Sequence, residues 1–338
     1  MSLRCKRIIE NYKRHAVLCV LLCILSVFSG CTYSDRGKPV SKTDFVLDTV
    51  ATIAIYDASG KEDEETLLKA AFDEIRRYER LFSAEIKESD ISRINEARGK
   101  ETKVSQETME LIKLSLKYSE LSSGAFDITI RPVSKLWDFK GGNKPPEDER
   151  IREAISHVGY KNISLNEESS TVTLSDPLAE IEPGGIAKGY IADRIKEFLL
   201  DREVTSAIIN LGGNVVLIGS KPDGNDFNVG IEKPFSDGEM LKNLKLSDLS
   251  VVTSGNYERY FYYEDRLYHH ILDTATGYPV ESDMDSVTVV SRYSADGDAL
   301  STTLFCLGKE RGKEFLEKGD FGELKVFFTD SGTVTEYY

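Results

Sequence analysis

The segment EPGGIAK, from Glu182 to Lys188, combines paired glycines with a lysine at the start of a helix-like run. Glycines allow close approach of the backbone, and a helix N-terminus offers free N–H groups and the positive end of its dipole. These features suit an anionic ligand. The glycine spacing matches neither a P-loop nor a Rossmann fingerprint. A tight strand-to-helix turn without a ligand would account for the segment equally well.

A second segment, DGDALSTT, places Asp298 and Thr302 four residues apart on one face of a predicted helix. A carboxylate and a hydroxyl are hard oxygen ligands, which suit Mg²⁺ better than zinc. Alternatively, Asp296 or Asp298 is the N-cap of that helix, which is the simpler interpretation of the residues alone. Both interpretations stay open at this point.

Adjacent histidines, His269 and His270, follow a predicted strand. Neighbouring side chains of a strand point to opposite faces, so one of the two can face a given site. The chain has 4 histidines in all, which argues against a dedicated zinc site. His270 is a candidate general base or binding residue, and a surface histidine on a hairpin is the alternative.

The segment GAFDITIRP carries a carboxylate, Asp127, between apolar neighbours. Phe126 and the nearby Trp137 are predicted to be core residues. A charged group in such surroundings is the exception that calls for an explanation, so Asp127 is a candidate site residue.

The elements that must position these residues follow from periodicity. Apolar residues at helical spacing predict helices over residues 64–82, 108–122, 147–158, 186–200 and 295–307. Strands are predicted over residues 45–56, 171–174, 178–181, 207–211, 215–218 and 286–290, with hairpins over 257–272 and 327–338 that turn near Glu264-Asp265 and Ser331-Gly332. Helices and strands do not alternate regularly, which favours a mixed α+β fold.

Composition limits the classes of function. The chain has 338 residues, 40% of them hydrophobic and 30% charged, as is typical of a globular protein. A net charge of -14 argues against a general nucleic-acid binder, because that class needs basic patches. An anionic ligand must therefore be bound locally, by backbone N–H groups, one or two cations or a metal ion.

The first 30 residues resemble an export signal, with a basic start and an apolar run over residues 16–28 that is short for a membrane span. Small residues precede Cys31 as in a lipobox, so we expect Cys31 to be lipidated; an ordinary signal peptide is the alternative. Residues 31–42 are predicted to form the lipidated cysteine and a flexible tether. Cys306 is then the last of 5 cysteines, an expected core residue without a disulfide partner.

Nine segments, in order, resemble the ApbE-type FAD:protein FMN transferases, which are bacterial flavin-transfer lipoproteins. They are LDTVATI, SDISRIN, GAFDITIRP, GGIAKGYIAD, INLGGN, SGNYERYF, HHILDTATGYPV, SVTVV and DALSTTLFCLG. The resemblance implies one α+β catalytic domain over residues 43–338, with mixed sheets, packed helices and two intertwined lobes. It also implies a cell-membrane protein that faces the periplasm or the exterior.

The resemblance further implies a site. Mg²⁺ would be held by the Gly185 carbonyl, Asp298 and Thr302, which replaces the helix-cap interpretation. FAD would contact Leu47, Glu85, Ala125, Phe126, Asp127, Glu182, Lys188, His270 and Leu272. A threonine hydroxyl of an acceptor flavoprotein would attack the FMN-side phosphorus of FAD, and AMP would leave. His270 would accept the threonine proton, with Asp298 or Asp273 as alternative bases.

The chain also departs from the usual family pattern. Asp48 stands in a motif that commonly reads Met-Gly-Thr, Glu182 replaces an aspartate, and Glu85 stands where tyrosine is frequent. Two other activities fit the same residues: Mg²⁺-dependent hydrolysis of FAD to FMN and AMP, and storage or delivery of FAD without chemistry. The expected partners are FAD and exported or membrane-bound flavoproteins, with no nucleic acid.

Overall fold

The computed structural model describes residues 38–142, 144–236 and 238–337. Its centre is an eight-stranded antiparallel sheet. In spatial order, with numbers that follow the chain, its strands are β1 (Val40–Val46), β2 (Thr49–Ala58), β6 (Val204–Leu211), β7 (Asn214–Ile218), β10 (Ser250–Gly255), β13 (Ser286–Ser291), β14 (Leu324–Asp330) and β15 (Thr333–Glu336).

Shorter strands form three smaller sheets. A three-stranded sheet has the order β3 (Thr102–Lys103), β5 (Thr171–Leu174) and β4 (Ile163–Asn166). Two hairpins are separate: β8 (Phe227–Glu232) with β9 (Met240–Leu246), and β11 (Tyr260–Tyr263) with β12 (Arg266–His269).

The described chain has eight α-helices, of which the first, sixth and seventh pack on the large sheet. They are α1 (Glu64–Phe82), α2 (Asp90–Glu96), α3 (Gln106–Leu121), α4 (Arg131–Ser134), α5 (Asp148–Ile155), α6 (Ala187–Leu200), α7 (Ser294–Leu307) and α8 (Lys309–Lys318). Helix α6 packs against α1 and α7, and α7 packs on β10 and β13. In the part of the chain that the structure describes, no helix is both long and apolar enough to cross a membrane.

The large sheet separates two apolar cores. Val216 and Ile218 of β7 belong to the main core beneath the helices, while Leu217 packs with Phe227 of β8 on the other face. This alternation is what a strand buried on both faces requires. A third cluster surrounds Trp137.

Helix α1 shows how local sequence sets an element. Asp63 caps it by accepting a hydrogen bond from the Thr66 amide at 2.9 Å, and Leu67 and Ile75 are among the residues buried along one stripe. Burying each such side chain is worth about 1.5–3 kcal/mol. The helix has the bounds that the periodicity predicts.

The prediction of a mixed α+β fold is confirmed, and two predicted strands are wrong. The strand over residues 45–56 is a hairpin, because Leu47 and Asp48 turn the chain with φ values of +54° and +58°. Leucine is an uncommon turn residue, so alternation conceals the turn. Residues 178–181 form no strand; Glu180 makes a single bridge to Ile130.

The predicted N-terminal segments fall mostly outside the description. Residues 1–37, which include the predicted signal and Cys31, are not among the described residues. Strand β1 begins at Val40, so the last three residues of the predicted tether are strand residues paired with β2.

Candidate active site

All the predicted binding and metal residues that the structure describes line one cavity of about 760 Å³. A small-molecule pocket typically has about 300–1,000 Å³. The cavity is lined by Leu47, Glu85, Ala125, Phe126, Asp127, Glu182, Gly185, Lys188, His270, Leu272, Asp298 and Thr302, among others. Segments far apart in the sequence therefore meet at one place, and the roles of these residues can be considered from their contacts.

At the start of α6, a side chain from α7 replaces one helical hydrogen bond. The Gly189 amide donates to Asp298 Oδ2 over 2.8 Å, where a regular helix would direct it to the Gly185 carbonyl. The next amide, of Tyr190, makes the regular bond to Ile186 at 3.0 Å. Within residues 38–142, 144–236 and 238–337, the Gly185 carbonyl accepts no hydrogen bond.

The contact between Gly189 and Asp298 requires α6 and α7 to lie very close together. A Cβ atom at position 189 would be 2.3 Å from the Ser294 carbonyl oxygen and 2.8 Å from Ala295 Cα. No larger residue fits there unless the helices separate. This glycine therefore serves helix packing.

Thr302 lies one helical turn after Asp298 and beside the glycine loop. Its hydroxyl is 3.1 Å from Ser254 Oγ, and a Cβ atom at Gly185 would be 3.4 Å from the same hydroxyl. Of the two carboxylate oxygens of Asp298, Oδ2 accepts the Gly189 amide. Oδ1 accepts no hydrogen bond from the described residues. A carboxylate, a hydroxyl and a carbonyl oxygen are thus available in one place.

Asp298 is buried, and burial raises the pKa of its carboxyl group. The positive charge of Lys188 and the Gly189 amide oppose that rise. A bound cation would favour the ionised carboxylate further. The described residues hold no group of three or more His, Cys, Asp and Glu side chains placed for a metal. Asp298, the Thr302 hydroxyl and the Gly185 carbonyl would together offer a metal ion one carboxylate and two neutral oxygen groups.

Helix α7 is capped from α6. Asp193 accepts hydrogen bonds from the Ser294 amide at 2.8 Å and from the Ala295 amide at 2.9 Å. Asp296 instead accepts a hydrogen bond from the Tyr118 hydroxyl. Neither acidic residue considered as a cap from the sequence has that role, because the capping carboxylate comes from another element.

Replacing Asp193 with asparagine is expected to change how stability depends on pH. Burial raises the pKa of Asp193 from 3.8 to about 6 in the folded protein. Its protonated form therefore stabilises the fold below about pH 4, and that contribution is lost as the pH rises to about 6. Asparagine does not titrate. In urea unfolding, the free energy of wild type minus Asp193→Asn should fall across this interval, and a constant difference would contradict the assignment.

The adjacent histidines occupy different surroundings, as strand alternation predicts. His269 is buried, with Nε2 3.0 Å from the Val280 carbonyl and its ring edge-on to Phe305. His270 lines the cavity, and its buried Nδ1 has no hydrogen-bond partner among the described residues. Burial, with the nearby charge of Arg259, lowers the pKa of His270 to about 3. The imidazole is therefore neutral at pH 7, and the same shift makes it a weaker base than an exposed histidine.

Two other carboxylates considered from the sequence support the backbone. Asp127 Oδ1 accepts from the Thr129 amide at 2.8 Å, and Oδ2 accepts from the Tyr160 amide at 2.7 Å. Asp273 Oδ1 accepts from the Ala275 amide at 2.7 Å and does not line the cavity. Asp273 is therefore poorly placed as the alternative base.

Arg131 lines the cavity, and the sequence analysis assigned it no role. Its Nη2 is 2.6 Å from Glu85 Oε1, and its Nη1 is 3.1 Å from Glu182 Oε2. Glu258 and Arg259 also line the cavity. All three lie inside segments that carry the family resemblance, GAFDITIRP and SGNYERYF. Their position near the site could therefore be predicted from the sequence, although their contacts could not.

Comparison with known proteins identifies the family. The ApbE family model matches residues 47–328. The chain belongs to the ApbE family. Among its relatives, a FAD:protein FMN transferase from Klebsiella pneumoniae is 39% identical over 252 residues, which cover 74% of this chain and 78% of the relative. A FAD:protein FMN transferase from Treponema pallidum is 30% identical over 315 residues, covering 88% and 87%.

Solved structures of ApbE proteins share the fold. The ApbE protein of Thermotoga maritima is 32% identical and superposes with a TM-score of 0.80, covering 88% of this chain and 96% of its own. The flavin transferase ApbE of Vibrio cholerae is 25% identical, with a TM-score of 0.79 and coverage of 89% and 97%.

Proposed function

We propose that this protein transfers FMN from FAD to a threonine hydroxyl of an acceptor flavoprotein, with Mg²⁺, and releases AMP. One observation carries the proposal: the Asp298 carboxylate, the Thr302 hydroxyl and the Gly185 carbonyl, which accepts no hydrogen bond from the described residues, lie on one cavity that His270 also lines. The names of the relatives support the transferase activity.

The charge of the cavity supports a metal. Its lining has eight acidic and five basic residues, an excess of negative charge that opposes a pyrophosphate. The acidic residues are Asp48, Glu79, Glu85, Asp127, Asp138, Glu182, Glu258 and Asp298, and the basic ones are Arg131, Lys135, Lys140, Lys188 and Arg259. A divalent cation would reduce this repulsion.

The oxygen ligands available fit Mg²⁺, which takes carboxylate, hydroxyl and carbonyl oxygens and keeps several waters. We assign Asp298, Thr302 and the Gly185 carbonyl to this ion. When bound, Mg²⁺ supplies charge neutralisation for the pyrophosphate and for the departing phosphate.

The residues of the chain then have distinct tasks. Lys188 lines the cavity beside Asp298 and offers its ammonium group to phosphate oxygens. The acceptor threonine oxygen forms a bond to the FMN-side phosphorus, and the phosphorus–oxygen bond to AMP breaks. The His270 imidazole takes the threonine proton. Leu47, Glu182, Leu272 and the Ala125-Phe126-Asp127 segment line the space left for the rest of FAD.

The test is a reaction of the full chain with FAD, Mg²⁺ and a flavoprotein acceptor that has a target threonine. Mass spectrometry follows the acceptor, and chromatography follows AMP. A mass gain of one FMN, with one AMP released per acceptor modified, is the expected result. AMP release that continues without acceptor would show hydrolysis instead, and bound FAD without AMP would show a flavin carrier.

We also propose that Cys31 is lipidated, so that the enzyme is anchored to the cell membrane and acts on exported or membrane-bound flavoproteins. The basic start, the apolar run over residues 16–28 and the small residues before Cys31 support this. Cys31→Ser should move the protein from the membrane to the soluble fraction after cell lysis. An unchanged distribution would rule out this anchor.

A further inference from the structure

Arg131 joins two carboxylates across one side of the cavity. Its guanidinium contacts Glu85 at 2.6 Å and Glu182 at 3.1 Å, and its side chain is 15% exposed. The two partners differ in exposure: the Glu85 side chain is 78% exposed and that of Glu182 is 26% exposed. All three residues line the cavity.

This difference in exposure makes the two ion pairs unequal. Water and salt screen a pair whose carboxylate is mostly exposed, so the Glu85 pair contributes little and breaks easily. The Glu182 pair is better shielded and holds the guanidinium in place. Arg131 remains charged whether or not Glu85 is bound, and its Nη2 then becomes available inside the cavity.

We propose that Glu85 occupies, on Arg131, the place of an oxygen acceptor of FAD, so that FAD binding displaces Glu85 while Glu182 keeps Arg131 in position. This inference rests on the proposed FAD site. It makes Arg131 a binding residue and Glu85 an internal competitor. Phosphate, ribityl and ring-carbonyl oxygens all have the required chemistry, since a guanidinium N–H donates to each.

The inference reverses the change in FAD affinity that is expected when Glu85 is removed. If Glu85 contacts FAD directly, as the family resemblance implies, its removal weakens binding. If Glu85 competes with FAD, its removal frees Arg131 and also removes one negative charge from an acidic cavity. Glu85→Ala should then tighten FAD binding about 2- to 5-fold, the range set by an exposed ion pair.

The experiment is a titration of the full chain with FAD, with and without Mg²⁺, followed by flavin fluorescence. Arg131→Ala should weaken binding about 10- to 100-fold, as expected for a lost charge-assisted hydrogen bond. In the double variant, Glu85→Ala should give no further gain. Arg131→Lys keeps the positive charge, so it should bind FAD more tightly than Arg131→Ala. This difference would show that Arg131→Ala weakens FAD binding through loss of the charge and not through misfolding.

Arg77 supplies a matched control, because it also lies between two carboxylates, Glu74 and Glu107, each at 2.8 Å. None of these three residues lines the cavity. Glu107→Ala should therefore leave the FAD dissociation constant unchanged. A similar tightening in this control would overturn the inference, since general charge removal would then explain the gain.

Separate titrations with FMN and with AMP locate the acceptor oxygen, because Arg131→Ala should weaken the half of FAD that it contacts. Weaker FAD binding by Glu85→Ala, or unchanged binding by Arg131→Ala, would overturn the inference while leaving the proposed function intact. Failure of the wild type to bind FAD at all would remove both.

Discussion

Asp298→Asn is expected to lower the rate of FMN transfer at least about 1,000-fold, the scale of losing the main electrostatic stabilisation of the transition state. Asparagine retains an oxygen that can accept the Gly189 amide, which Asp298 Oδ2 now accepts at 2.8 Å. It removes the negative charge that a divalent cation requires. The substitution therefore separates the contribution of charge from the contribution of helix packing.

The measurement combines acceptor mass with Mg²⁺ titration at saturating FAD. Asp298→Asn should need far more Mg²⁺ for any residual activity, whereas its thermal unfolding midpoint should stay close to that of the wild type. Asp298→Ala provides the contrast, since it also leaves the Gly189 amide without an acceptor and should lower the midpoint. Full activity of Asp298→Asn would remove this residue from the metal site.

His270→Gln should reduce turnover about 100- to 10,000-fold, which is the usual contribution of a positioned general base. The side chain lines the cavity, and its buried Nδ1 has no hydrogen-bond partner in the described part of the chain. Glutamine has similar length and polarity but cannot accept a proton at neutral pH. FAD affinity should change little, so the loss belongs to kcat for the acceptor reaction.

His269→Gln is the matched control one residue earlier. His269 packs in the core, with Nε2 bonded to the Val280 carbonyl and Nδ1 accepting the Ile271 amide. Its replacement should lower the free energy of unfolding and leave turnover of the folded fraction near the wild-type value. Equal losses of turnover in both variants would show that His270 acts through local structure rather than proton transfer.

The sequence predicted the parts of this molecule that depend on local chemistry. Apolar spacing set the bounds of the helix Glu64–Phe82, and the four-residue spacing of Asp298 and Thr302 placed two oxygen groups on one helical face. The hairpin turn at Glu264 and Asp265 was also predicted, and both residues have the positive φ that it needs.

What the sequence missed depends on contacts between distant segments. Asp193 caps a helix that begins 101 residues later, and no pattern within either segment reveals this pair. Arg131 meets Glu85 across 46 residues for the same reason. The turn at Leu47 was hidden because its unusual backbone is fixed from outside: the Leu47 amide donates to Glu79 of α1 at 2.7 Å.

The missing hydrogen bond at the start of α6 has a consequence for insertions and deletions. The Gly185 carbonyl accepts no hydrogen bond from the described residues, because the Gly189 amide, four residues on, donates to another helix. Adding or removing one residue between these positions would bring a different amide opposite Asp298 and return a helical partner to the carbonyl. The length of this stretch is therefore constrained by the site, as the residue at position 189 is constrained by helix packing.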